Sequence, residues 1–167
     1  MRALAVTSLF VFWISPAIAL AQVKPTPPTI PHIDWHEPHL NNAQRMFHKQ
    51  RWRASAALFS NTLLRIQRDV SLDFKRAHLK KVGPRSKSGP LQATMSRYTS
   101  GEHPILIVAK DRFFFSPHLT RMMAWALFRS EQPQAALDAY RTLLSSSLGN
   151  KNDHNNINAI ELYLTPR

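Results

Sequence analysis

Five side chains able to ligate a metal fall within the short stretch IPHIDWHEPHL, residues 30–40: His32, Asp34, His36, Glu37 and His39. Imidazole and carboxylate together suit zinc, copper or nickel. In an extended chain, His32, Asp34 and His36 project to one side, because side chains alternate with a period of two. His36 and His39 share a face only if that piece is helical, which Pro38 opposes. A metal site also needs a rigid surrounding shell to orient its ligands. The competing reading is a stiff polar linker whose Trp35 anchors it onto the first helix pair. His32, His36 and His39 are therefore candidate metal ligands on one reading and outward-facing linker residues on the other.

Other chemistry is sparse. The chain carries no G-x-S-x-G, no H-E-x-x-H and no phosphate-binding glycine loop. Its acids are few and scattered, so no carboxylate pair stands out, and no enzyme signature is found. With 0 cysteines, disulfides, thiolate zinc sites and cysteine nucleophiles are excluded. No cofactor is expected, and stability has to come from packing.

The elements that would position any site follow from composition along the chain. Residues 1–21 read as a secretory signal: Arg2, an apolar run from Ala3 to Ile14, a break at Pro16, and small residues at Ala19 and Ala21 before cleavage. The mature chain has no other candidate membrane span, which implies a secreted or periplasmic protein. Residues 22–40 are proline-rich and expected to be an extended linker without stable secondary structure, at least to Glu37. Residues 41–167 form an all-α domain of antiparallel helical hairpins on this reading. Glycine, at 4 residues, is too rare for a turn-rich sandwich or barrel.

Within the domain, Asn41 or Asn42 is expected to cap a first helix. Apolar residues Ala43, Met46 and Phe47, then Trp52, Ala56, Phe59, Leu63 and Ile66, follow spacings of three and four. The stripe slips phase at His48–Arg51, which predicts a turn between two helices. Ser71 is expected to start a third helix running to Val82, followed by a basic loop over 83–90 and a short helix from Leu91 to Tyr98. Residues 103–117 are read as helix, because the β-branched run Ile105–Val108 lacks an evident second run to pair with. The aromatic triplet Phe113–Phe115 is read as core. Residues 118–147 predict two helices around a turn at Glu131–Pro133, and a short helix follows from Ile157.

The charge is +12 overall, and the excess is local: residues 43–87 hold twelve Lys or Arg against Asp69 and Asp73. Such a surface attracts anions. For an exported protein, anionic polysaccharide or lipid headgroups are the natural class, and nucleic acid is not expected. Arg51, Arg53, Lys80 and Lys81 are the candidate partner-binding residues.

The two helix pairs can be superposed in sequence. AQRMFHKQRWRASAALFSNTLL starts at Ala43 and AWALFRSEQPQAALDAYRTLL at Ala124. At a constant offset of 81, Phe47 matches Phe128, Trp52 matches Pro133, Ser55 matches Ala136, and Phe59 matches Tyr140. A large residue ends the first helix, a small one permits close approach of the second, and an aromatic one turn on fills the groove. This pattern resembles the tetratricopeptide (TPR) repeat, a helix–turn–helix unit of about 34 residues. In the first copy Ser55 stands where alanine is usual and Gln50 where a turn glycine is usual, and an offset of 81 is not a whole number of such repeats. The resemblance implies stacked helix pairs that recognise a protein partner or peptide, in envelope assembly, secretion or polysaccharide export, and no catalysis.

Overall fold

In a computed structural model, residues 24–79, 99–100, 103–109 and 112–165 are described. The expected signal segment, Lys80, Lys81, the basic loop over 83–90 and the helix over 91–98 lie outside these residues. Helices make up most of the described chain: α1 (Pro38–His48), α2 (Trp52–Leu79), α3 (Pro117–Arg129), α4 (Pro133–Ser145) and α5 (Lys151–Leu164). Each packs against the next in antiparallel-like fashion, and α1 also touches α3. No helix among the described residues is long and apolar enough to cross a membrane.

Helix starts follow local chemistry. Three helices place proline in the first turn, where the missing N–H would be unpaired anyway. The cap of α1 is Glu37, whose carboxylate accepts from the N–H of His39, and not Asn41 or Asn42 as expected. Both asparagines are used otherwise: Asn41 binds the backbone of Trp35, and Asn42 accepts from Arg45. Ser116 caps α3. Asn150 and Asp153 form a reciprocal capping box on α5, in which each side chain accepts from the other residue's backbone N–H.

Three further expectations are overturned. The last helix, α5, starts at Lys151 and not at Ile157, because Asn150 and Asp153 cap it there. No break occurs at Ser71, and α2 runs unbroken for 28 residues. Nothing in that stretch stops a helix, and Val70, 2% exposed, carries the buried stripe of Ile66 one turn further. Residues 103–117 are not helical. Thr99–Ser100 (β1) pairs with His103–Pro104 (β2), and Leu106–Ala109 (β3) pairs antiparallel with Arg112–Phe115 (β4). The partner for the β-branched run is the aromatic triplet itself: Leu106 faces Phe115, Ile107 faces Phe114, and Val108 faces Phe113. Aromatic and β-branched residues suit a pleated, half-buried surface, and such cross-strand pairs stabilise it.

A lone hairpin is marginal in water. Here the backbone carbonyl of Ile105 accepts from Ser116 N at 2.7 Å, and Ile105 and Leu106 enter the common core. Phe113 and Phe115 are half-buried against that core, so the triplet read as core lies at its margin. One cluster, from Ile33 to Ile160, runs through the helices and includes residues of the segment before α1.

Candidate polypeptide-binding surface

The surface rests on how the helix pairs turn. The turn after α1 places Gln50 at φ 55°, and the turn after α3 places Glu131 at φ 65°, both in the left-handed region. These two positions differ by 81. Four of their backbone hydrogen bonds correspond. Lys49 N donates to Arg45 O as Ser130 N does to Ala126 O; Gln50 N to Phe47 O as Glu131 N to Phe128 O; Arg51 N to Met46 O as Gln132 N to Leu127 O; and Ser55 N to Arg51 O as Ala136 N to Gln132 O. The paired bonds around a left-handed residue are those of a Schellman turn, which satisfies the carbonyls left over at a helix end. The same arrangement recurs after α4, with Ser147 at φ 62°.

The packing positions obey the same offset. Ser55 and Ala136 are both fully buried, as are Ala43 and Ala124 opposite them in sequence register. Phe59 and Tyr140 are buried beside them, and Phe47 is nearly so. Trp52 and Phe128 are half-buried against the core. Trp52 stacks edge-on against Phe47 at 5.4 Å and lies under the guanidinium of Arg129 at 5.6 Å, so the two turns meet.

Across these helices runs the segment that precedes α1. Its residues from 32 to 36 alternate exposed and buried, as an extended strand does. Ile33 (3% exposed) and Trp35 (1%) point inward, which bears out Trp35 as the anchor. Three carboxamides hold the backbone, each gripping both polar groups of one residue. Asn41 accepts from Trp35 N at 2.7 Å and donates to Trp35 O at 2.6 Å. Gln44 accepts from Ile33 N at 3.4 Å and donates to Ile33 O at 2.9 Å. Asn156, on α5, accepts from Thr26 N at 2.7 Å and donates to Thr26 O at 3.1 Å. In an extended chain the N–H and C=O of one residue point to the same edge, which is why one amide can meet both.

The amides make further bonds. Gln44 also accepts from Trp35 Nε1 at 3.3 Å and donates to His32 Nδ1 at 2.9 Å. Asn156 also donates to the Tyr140 hydroxyl at 3.1 Å. Burial pushes the Tyr140 phenol well above its ordinary range, against the opposing effect of the Asn156 bond. Behind Asn156, Arg121 grips Asp153 through Nε and Nη2 at 2.8–3.1 Å and donates to Leu148 O, which fixes α5 against α3. At the far end, Glu37 pairs with Arg65 of α2 at 2.7 Å.

The geometric span is informative. Thr26 to Ile33 is seven residues, about 23 Å when extended at ~3.3 Å each. Neighbouring helices pack at about 8–10 Å, so this length crosses two interhelical spacings. The segment thus reaches from α5 to α1.

The three candidate histidines are spread over the extended segment and α1. His32 and His36 share the outer side with Asp34, but same-side residues of an extended chain stand about 6.6 Å apart and diverge. His39 lies in α1. Among the described residues no three His, Cys, Asp or Glu side chains are placed to hold an ion. His32 instead faces His48 at 6.1 Å across an open hollow of about 580 Å³ that Arg45 and Lys49 also line.

The basic candidates are not brought together within the described residues. Arg51 is exposed in the first turn, where its backbone does the turn's work. Arg53 reaches Glu131 in the second turn at 3.4 Å, both side chains more than 80% exposed, so their attraction is worth little. Near the hairpin, His118 packs edge-on to His103 at 5.7 Å. Burial first, then His103 and Arg121, lower its pKa.

Sequence reasoning missed Asn41, Gln44 and Asn156. A signal exists for Gln44 alone, which falls on the otherwise apolar face of Leu40, Ala43 and Phe47. Comparison with protein-family models, with curated proteins and with solved structures returns no match for this chain.

Proposed function

We propose that the chain is an exported, TPR-like scaffold or adaptor that binds a protein partner, in cell-envelope assembly, secretion or polysaccharide export. It acts by binding and not by catalysis. The observation that carries this reading is the extended segment held across alternate helices by backbone-directed amides, because a surface that grips one polypeptide in this way suits another. The shared turns and the small residues at both crossings support a repeat architecture, and the signal-like start supports export.

The alternative, an accessory protein that binds anionic glycan or lipid through a basic helical face, rests on charge alone. Arg45, Arg53 and Arg65 each already face a partner within the chain. One experiment separates the two. The tagged chain and a variant with Arg51, Arg53, Lys80 and Lys81 changed to Gln are used for affinity capture from cells of the source organism, at about 0.15 M salt, where the screening length is only about 8 Å. A defined protein retained by both supports the adaptor. Retention only of polyanions, lost in the neutralised variant, overturns it in favour of the accessory reading.

A further inference from the structure

We propose that the surface bearing Asn41, Gln44 and Asn156 is a seat for extended polypeptide, that residues 24–37 are its resident occupant, and that a partner binds by displacing them. This deepens the adaptor reading and rests on it.

The recognition is directed at backbone. Six hydrogen bonds go to the N–H and C=O groups of Thr26, Ile33 and Trp35, and none of these six reads a side chain. Any chain that is extended over the same length can offer the same groups. Selectivity comes from the two inward positions, filled here by Ile33 and Trp35. Two outward residues add a weaker preference, since His32 Nδ1 accepts from Gln44 at 2.9 Å and Asp34 Oδ1 accepts from Asn41 at 3.2 Å.

The occupant suits a detachable role. Outside α1 it forms no helix and no ladder with a strand. Pro25, Pro27, Pro28 and Pro31 keep it extended and remove donors, so little order has to be gained on seating it. The gripped residues are ones that retain an N–H. The ligand class is therefore a proline-containing, extended peptide with two large apolar residues at positions i and i+2.

A tethered occupant competes at an effective concentration in the millimolar range, and the apparent affinity for a peptide in solution falls with the fraction of seats left open. The probe is a fluorescent peptide of residues 24–37. It is titrated by anisotropy into the mature chain, into Trp35→Ala, and into a His32→Cys/His48→Cys variant, which would tie the segment to α1 where the two rings stand 6.1 Å apart and leaves all three gripping amides in place. The chain has 0 native cysteines, so that pair is the sole disulfide possible. The expected result is binding at least tenfold tighter to Trp35→Ala than to the parent chain. The oxidised double-cysteine variant should not bind, and adding reductant should restore binding to that same polypeptide. A probe peptide carrying Ile33→Asp should fail throughout, while one carrying alanine at His32 and Asp34 loses only two side-chain bonds and should still bind, more weakly than the parent peptide.

If Trp35→Ala fails to fold, the oxidised and reduced states of the cysteine variant decide the matter. Equal binding before and after reduction places the peptide elsewhere and overturns the proposal. Absence of binding to the reduced chain shows that the seat does not exchange, and overturns it too. Either failure leaves the capture of a partner at another surface standing, so it is distinguishable from failure of the adaptor reading.

Discussion

At the crossing of α1 and α2 the small residue is Ser55, whose hydroxyl donates to the Ala43 carbonyl at 3.0 Å; at the crossing of α3 and α4 it is Ala136, with no polar atom to satisfy. The turns that lead into the two crossings share four backbone bonds and a left-handed residue at the same place. The first hairpin opens on buried Leu40, while the equivalent position in the second is Arg121, tied to Asp153. The second helix of the first pair is 28 residues long and that of the second 13. Turn backbone and crossing size are therefore what the two units have in common. Polarity and length vary once each polar group has its partner.

The largest effects should come from the aromatic that follows each crossing. Phe59→Ala and Tyr140→Ala each remove a fully enclosed ring and should cost about 3–5 kcal/mol in urea unfolding. If one costs under about 1 kcal/mol, the two hairpins do not share a packing position. The next effect tests the point where they differ. Arg121→Leu imposes the first hairpin's residue type on the second and leaves Asp153, only 2% exposed, without its cation. A loss of about 3 kcal/mol is expected, since an uncompensated buried charge dominates. Near-neutral behaviour would mean that the capping bonds from Asn150 suffice for that carboxylate.

Exchange at the crossing itself should be milder. Ser55→Ala removes one buried hydrogen bond and should cost about 1 kcal/mol. Ala136→Ser is the sharper experiment. By the 81-residue correspondence a serine there finds the carbonyl of Ala124, as Ser55 finds that of Ala43. It should be tolerated within about 1 kcal/mol, whereas a hydroxyl without a partner costs up to about 3. Thermal unfolding of the two variants, alone and combined, distinguishes these outcomes.

The correspondence was readable in the amino-acid sequence because it is carried by side-chain size at helical spacing: Phe47, Ser55 and Phe59 against Phe128, Ala136 and Tyr140. The hairpin over residues 106–115 was not, because Phe113–Phe115 fits a core helix and a strand equally well until Ile105–Val108 is placed beside it. The continuity of α2 was hidden by Ser71, a good cap in sequence that the helix simply incorporates. The amide grips were hidden for a different reason. Thr26 and Asn156 are separated by 130 residues, and an asparagine that binds backbone carries no mark in composition or periodicity. The outward histidines drew attention through their chemistry, while the inward Ile33 and Trp35 between them determine how the segment sits.

The smallest effect bears most directly on why the two turns match. A non-glycine residue in the left-handed region costs about 1–2 kcal/mol, and glycine there recovers this less its own entropic penalty of about 0.5–1 kcal/mol. Gln50→Gly and Glu131→Gly should therefore each stabilise the fold by up to about 1 kcal/mol, measured by urea unfolding. Glu131 also gives up its contact with Arg53, but that pair is so exposed that the loss should be a few tenths of a kcal/mol at most. Valine at either position should destabilise, because a β-branched side chain is a poor fit to positive φ. If both glycine variants gain and both valine variants lose, the turn backbone alone accounts for the match. If Glu131→Gly loses stability while Gln50→Gly gains it, the second turn depends on the Glu131 side chain, and the two hairpins reach one backbone geometry by different means.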